Sequence, residues 1–488
     1  MNIVDPILYQ SERQPPAAAI CVPGPGISLI SYRRLAQYVH NIARRLLTLG
    51  LPHQSVVAVN IQDVIFHVSV LLALTRLGMI TVSMRDEDDI IPIRIDTLIT
   101  DSKIPMTNTG RIVLADLGWT EGDGRPLEPH LLPQTHENDL CRIVLTSGTT
   151  STPKAVAISH RLLAARIARH LTVFGNRLAD CSRIYSDVPV SSSLGFQFLI
   201  YALSRGGTAF FPGKDFETTL PAFEQYKVQC LVGSPGGFEN LLHWFDLVPT
   251  YQSDIEVMLC GGDVLSRTLS DRLRSRICSH LVAAYGSTEA SMAATAHAQE
   301  IAGEPRAVGF VTPGVIVQIV DSSGTLLPLR EEGRVRLKSD YAVDQYFGNP
   351  EDSNKVFRDG WFYPGDLGRF NADGLLIISG REHSVLNLGG DKISPEAIEL
   401  VLSQFNGIDE AAAFGAPNEF GNSEIWAAIV SHSPIDEQIL KEYCEAKIPR
   451  PFAPAKVYFV DSLPHNEMGK LDRGRLYAWV KERARYQA

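Results

Sequence analysis

The chain has 488 residues, 45% of them hydrophobic and 20% charged, the balance of a folded soluble protein and too long for one ordinary core, so two or three structural units are expected. A net charge of −10 argues against nucleic acid or an anionic membrane as the main partner, though a local amide-lined pocket still suits an anionic small molecule. The segment 1–13 has no basic stretch followed by an apolar one, so no secretory signal is expected, and the seven cysteines form no CxxC pair and read as reduced core thiols of a cytosolic protein.

Along the chain, Ser31 to Gly50 predicts an amphipathic helix: Ser31 caps it, Leu35, Val39, Ile42, Leu46 recur at helical spacing, and Gly50 ends it. Val64 to Thr75 is apolar but interrupted by His67 and too short to span a bilayer, so a buried helix is expected. Short β-rich runs follow at Ser55–Ile61, Arg142–Leu145, Val228–Val232, Ile255–Leu259 and His280–Ala284. Several end in small-residue turns, Ser147-Gly148, Gly233-Ser234, Gly261-Gly262 and Gly286-Ser287. Strands that finish this way predict an α/β sheet with a ligand site at their carboxyl ends. After about Asn349 turn signals and charge become dense, and Ser394-Pro395-Glu396 predicts a helix start in a second unit. The boundary is placed near Gly380-Arg381, giving units of residues 1–380 and 381–488.

The first stretch that carries chemistry is Thr146-Ser147-Gly148-Thr149-Thr150-Ser151-Thr152-Pro153-Lys154, directly after an apolar strand. Backbone N–H groups, hydroxyls and a mobile ammonium can converge there on a phosphate, although the Walker A spacing is absent. This segment resembles the phosphate loop of the adenylate-forming superfamily, which includes acyl-CoA synthetases, and four further segments follow in the family's order. The resemblance implies an α/β fold with a large N-terminal domain of stacked α/β subdomains and a small mobile α+β C-terminal domain.

In Tyr285-Gly286-Ser287-Thr288-Glu289 it implies that Tyr285 lies against adenine, Gly286 lets backbone approach, Thr288 contacts the α-phosphate and Glu289 holds Mg2+. Upstream, Asp263 of Cys260-Gly261-Gly262-Asp263 lines the adenine edge. In Gly360–Asp366 the carboxylate of Asp366 takes both ribose hydroxyls, a vicinal diol that suits two hydrogen bonds. Arg381 contacts ribose or phosphate, His383 stands at the interdomain hinge, and Gly389-Gly390 belongs to a thiol-facing loop. Lys470 in Gly469-Lys470-Leu471-Asp472 resembles the adenylation lysine, whose ammonium bridges two anions as a carboxylate attacks the α-phosphate.

The chain departs from the family at several places. Ser151 and Ala155 replace usual glycines, Pro364 a usual threonine and His383 a usual aspartate, while Asn387 stands where many members have lysine. The region after Met84 is compact relative to the family. Ser192, with Phe196 in the acid-binding segment, occupies a place where an aromatic residue or histidine is common, which implies a wider pocket for a medium-length or aryl apolar acid. A serine-rich loop leading into a helix is the alternative reading of that segment.

The expected activity is ATP-dependent formation of acyl-AMP followed by transfer to the thiol of coenzyme A. The chain runs on only briefly after Lys470, so a fused carrier domain is not expected. A stand-alone adenylation enzyme that loads a separate carrier protein, and a degenerate nucleotide- or acyl-binding member without turnover, are the alternatives.

Overall fold

The computed structural model describes residues 2–24, 27–84, 91–102, 109–146, 153–213, 215–382, 386–388, 391–417, 423–448, 452–466 and 470–486. The molecule is α/β, with stacked layers over most of the chain and a small α+β part at the carboxyl end. A six-stranded sheet runs Thr109–Leu114, Ile95–Thr100, Val56–Asn60, Ile80–Ser83, Leu140–Thr146 and Lys154–Ser159, all neighbours parallel except the last pair. A 15-stranded sheet places parallel neighbours Thr208–Phe210, Arg183–Ser186, Cys230–Gly233, Val257–Gly261 and Leu281–Ser287 at its centre. Antiparallel strands continue it through Ser291–His297, Ala307–Val311, Leu376–Arg381, Asp366–Phe370 and Gly333–Ser339.

The helices Val64–Arg76, His160–Asp180 and Ser193–Ser204 join both sheets in one core. Val57 and Val144 of the smaller sheet and Ile184 and Val232 of the larger belong to the same buried cluster as Leu71, Leu163 and Leu199 of these helices. The Val64–Arg76 helix is buried along nearly its whole length, as its apolar sequence predicts, and Asp63 caps it through the Phe66 amide. Among the described residues no helix is long and apolar enough to cross a membrane.

The amphipathic segment after Ser31 forms a helix over Tyr32–Thr48, with the Ser31 hydroxyl accepting from the Arg34 amide. All seven cysteines are buried and free. Near the carboxyl end, Ile408–Pro417, Ser423–Ser431 and Lys456–Phe459 form a three-stranded sheet. The helices Pro395–Ser403 and Glu437–Lys447 share one core with this sheet, and Leu476 and Val480 of the Arg473–Tyr486 helix pack in another. Ser394 caps the first of these helices and its hydroxyl also donates to the Ser379 carbonyl, tying this part to the strand before it.

Candidate active site

The parallel strands of the large sheet end together on one side, where backbone groups are left unpaired and ligands of α/β sheets collect. Tyr285 lies at that end of Leu281–Ser287, and its hydroxyl donates to Asp366 Oδ2. Asp366 is 4% exposed and pairs across antiparallel strands with Arg381, whose Nε is 2.8 Å from Oδ1. Arg381 also donates to the Pro364 carbonyl at 2.9 Å, which fixes the guanidinium against the turn before Asp366. Burial raises the Asp366 pKa, opposed by Arg381 and by the Tyr285 hydrogen bond, while burial and this carboxylate push Tyr285 well above the usual phenol value. The proton therefore stays on the phenol, and the carboxylate accepts.

Gly286 follows in a register shift of the hairpin, where a Cβ would lie 2.2 Å from the Ser291 carbonyl oxygen. Only glycine allows this closeness. The next turn carries Thr288 and Glu289, and it is held from behind by Arg166 of the His160–Asp180 helix. Arg166, fully buried, donates to the carbonyls of Thr288 at 3.0 Å, Glu289 at 3.0 Å and Tyr341 at 2.9 Å. The Glu289 side chain, 7% exposed, accepts from the Tyr346 hydroxyl at 2.9 Å. Arg166 and Tyr346 were not singled out in the sequence; the only trace of Arg166 is a charge among the apolar positions Leu163, Ile167 and Phe174 of one helix.

Thr146 and Lys154 face each other across the antiparallel pair that brackets the expected phosphate loop. The ammonium of Lys154 pairs with Asp352 Oδ2, and that contact together with Lys355 draws the Asp352 carboxyl down to about 2. Ser147, Gly148, Thr149, Thr150 and Ser151 lie outside the described residues, as do Gly389, Gly390 and His383. Ala155 is buried in the strand after the loop, and its carbonyl accepts from the Phe347 amide at 2.8 Å.

Lys470 comes from the far end of the chain. Its backbone exchanges hydrogen bonds with Asn466, Lys470 N donating to Oδ1 at 3.0 Å and Asn466 N donating to the Lys470 carbonyl at 2.8 Å. Burial, the largest influence, lowers the pKa of its ammonium. The charges of Asp263, Asp366 and Glu289 act in the opposite direction, and that of Arg381 acts with burial.

Ser192 and Phe196 lie at the start of the Ser193–Ser204 helix. Ser192 is 6% exposed and acts as the helix cap, accepting from the Gly195 amide at 3.0 Å and donating to the Pro189 carbonyl at 2.7 Å. Beneath this loop the fully buried Arg142 donates to the Val190 carbonyl and the Ser83 hydroxyl, both at 2.9 Å, and its guanidinium lies 4.5 Å from the Phe196 ring centroid. An arginine inside the apolar run Leu140–Thr146 is the one sequence signal for that contact.

Among the described residues no group of three or more His, Cys, Asp or Glu side chains forms a ready-made metal cage. Glu289 alone still fits Mg2+, a hard cation that commonly takes one or two carboxylates and completes its shell with substrate phosphates and water. The arrangement as a whole offers the buried carboxylates of Asp366 and Glu289, the Tyr285 phenol and the half-buried Lys470. Those parts suit a nucleotide whose α-phosphate is attacked by an anion.

The chain belongs to the AMP-binding enzyme family, whose model matches residues 8–347. The AMP-binding enzyme C-terminal domain matches residues 397–470. Within the family the chain is 26% identical to a 4-chlorobenzoate–CoA ligase of an Arthrobacter species, over 97% of this chain and 94% of that one. Its fold is shared with the amide bond synthetase McbA from Marinactinospora thermotolerans, at a TM-score of 0.82 and 22% identity over 98% and 99% of the two chains. The O-succinylbenzoate coenzyme A synthetase of Bacillus subtilis, solved with AMP, matches at a TM-score of 0.80 and 20% identity over 97% and 98%.

Proposed function

We propose that the protein is an AMP-forming acid–thiol ligase that joins a carboxylic acid to coenzyme A. In the first half-reaction a carboxylate oxygen attacks the α-phosphorus of ATP, the bond to the bridging oxygen breaks, and pyrophosphate leaves. In the second a thiolate attacks the acyl carbonyl, and AMP leaves with the electron pair of the former acyl–phosphate bond. What supports this reading most is Lys470, far along the chain, whose ammonium feels the charges of Asp263, Asp366 and Glu289.

Each residue has a task in this scheme. Asp366 accepts from the ribose hydroxyls, and Tyr285 and Arg381, which already bond it, set the direction of its oxygens. Thr288 offers its hydroxyl to the α-phosphate, and Arg166 holds the carbonyls of this turn in place. Glu289 would hold Mg2+, which when bound would supply charge neutralisation for the leaving pyrophosphate. Lys470 bridges the entering carboxylate and the α-phosphate, an arrangement most valuable as negative charge gathers in the transition state and least costly in a site that excludes water.

Residues 381–488 would then rotate about His383 and bring the Gly389-Gly390 loop to the acyl carbonyl. Coenzyme A is the acceptor favoured by the curated relatives, which include CoA ligases for 4-chlorobenzoate and ferulate. Pyrophosphate release over a panel of acids, run with coenzyme A, with a carrier protein and with neither, tests the reading. Pyrophosphate formation from several acids with thioester only when coenzyme A is present is the expected result; ATP binding with no pyrophosphate from any acid would establish a binding protein instead.

A further inference from the structure

Two arginines near one another on the His160–Asp180 helix have unequal surroundings. Arg166 spends its donors on three carbonyls and has Glu289 as a charged neighbour. Arg169, 3% exposed, has the Thr312 hydroxyl as its hydrogen-bond partner, while its Nε and Nη1 meet no acceptor. Its flat face lies 4.2 Å from the centroid of the Tyr341 ring, so the apolar side of the guanidinium is satisfied and its N–H edge is not. Among the described residues no carboxylate pairs with it; the Tyr341 phenol opposes the lowering of its pKa by burial, and Arg166 and His170 are its other titratable neighbours. An arginine cannot escape burial by losing its proton, so an unpaired one needs an anion from somewhere.

Its neighbours connect it to the turn of the candidate site. The Thr312 hydroxyl that Arg169 contacts also lies 3.2 Å from the carbonyls of Met292 and Ala293, on the strand that follows the Thr288–Glu289 turn. Arg166, which grips that turn, precedes Arg169 by about 4.5 Å of helix rise. Ser291, at the start of the same strand, is buried and has φ +62°, a left-handed conformation that non-glycine residues adopt only when the surroundings impose it. Strain of this kind and the adjacent register shift belong to strands that are re-aimed beside a ligand.

We propose that Arg169 binds a second carboxylate on the acid, so that the substrates are short dicarboxylic acids rather than the wholly apolar acid that Ser192 suggests. One carboxylate reacts at the α-phosphate near Lys470 and Glu289; the other completes the unspent donors of Arg169. This rests on the acid-activating reading of the same site.

The test compares matched acids: butanoate with succinate, hexanoate with adipate, and 4-methylbenzoate with terephthalate. Pyrophosphate release is followed for the unaltered protein, Arg169→Met and Arg169→Lys. A diacid should lead its partner by about 100-fold or more in kcat/KM in at least one pair, since a site built to bond a polar group rejects the analogue without it. Arg169→Met should abolish that lead while sparing the monoacid, and Arg169→Lys should restore part of it. A monoacid that equals its diacid in every pair, or an Arg169→Met variant that loses both alike, would overturn the inference while leaving acid activation standing.

Thermal denaturation of the unaltered protein with each acid reads binding without turnover and without any variant. A midpoint raised by a diacid and not by its monoacid partner supports the inference even if no acid gives pyrophosphate, and equal shifts in all pairs oppose it.

Discussion

At the scale of single residues the site depends on side chains that hold its backbone. Arg166 is fully buried and donates to three carbonyls drawn from two segments of chain, one 122 to 123 residues away and the other 175. Replacing it with methionine keeps most of the volume but leaves the carbonyls of Thr288, Glu289 and Tyr341 without their donor. A buried group stripped of its partner costs about 1–3 kcal/mol, so Arg166→Met should lose roughly 2–4 kcal/mol of stability once the three losses overlap. Because two of the three carbonyls belong to the turn that carries Thr288 and Glu289, kcat for adenylation should fall more than KM for ATP rises. Denaturant unfolding and steady-state pyrophosphate release check the two parts separately; a stable variant with unchanged kcat would show that the turn holds itself.

Ser192 illustrates how a residue with an expected role in binding is also committed structurally. Its hydroxyl caps the Ser193–Ser204 helix and returns a bond to Pro189. Ser192→Ala should cost about 1 kcal/mol, the usual value of a lost cap, and Ser192→Thr should keep the cap. If KM for the acid shifts in the threonine variant while stability holds, the side chain borders the substrate as well as capping the helix. If KM stays fixed in the threonine variant, its work is confined to the helix.

At the scale of elements, those whose chemistry constrains composition were legible in the sequence. The helix after Ser31 showed its cap and its spacing, and the helix Pro395–Ser403 showed serine, proline and acid in the expected order. Strands such as Leu140–Thr146 and Leu281–Ser287 were found within a few residues of their ends because they are apolar, although the expected turn at Gly286-Ser287 lies within the second strand. The Tyr285–Glu289 and Asp366 motifs were legible for a related reason: backbone approach needs glycine, and a diol or a cation needs a carboxylate.

What could not be read was pairing at a distance. Lys154 meets Asp352, separated by 198 residues, and Tyr346 reaches Glu289 across 57. Arg142 and Arg166 bond to backbone carbonyls. A carbonyl is present at every position, so it leaves no mark by which a sequence could announce it.

At the scale of the whole molecule the central matter is what holds the carboxyl-terminal part, with Lys470, in its arrangement. His465, in the loop before Lys470, has its Nε2 2.7 Å from Glu410 Oε1. That hydrogen bond, followed by the charges of Glu410 and of Glu239 on the Pro235–Leu247 helix, raises the His465 pKa above 6.5 against the effect of burial. A raised histidine pKa means that the protonated form favours this arrangement. The stabilisation is fully present below the ordinary value of 6.5 and is lost as pH climbs through the raised one. Adenylation, in which Lys470 is proposed to act, should weaken relative to thioester formation over that rise. Glu410→Gln should bring the decline to lower pH. Separate rate profiles of the two half-reactions between about pH 5.5 and 8.5 check this, and parallel profiles in both proteins would assign His465 no part in the balance.

The account stands most directly on Lys470, on whose ammonium the charges of Asp263, Asp366 and Glu289 act. The decisive measurement separates the half-reactions in Lys470→Ala: single-turnover acyl-AMP formation from ATP and acid, and thioester formation from supplied acyl-AMP and coenzyme A. Loss of one preorganised charge at the reacting phosphate typically costs about two to three orders of magnitude. Acyl-AMP formation should fall by that much while thioester formation from supplied acyl-AMP stays within a few-fold of the unaltered protein; equal losses in both steps, or an unimpaired first step, would contradict the placement of Lys470 at the reacting phosphate.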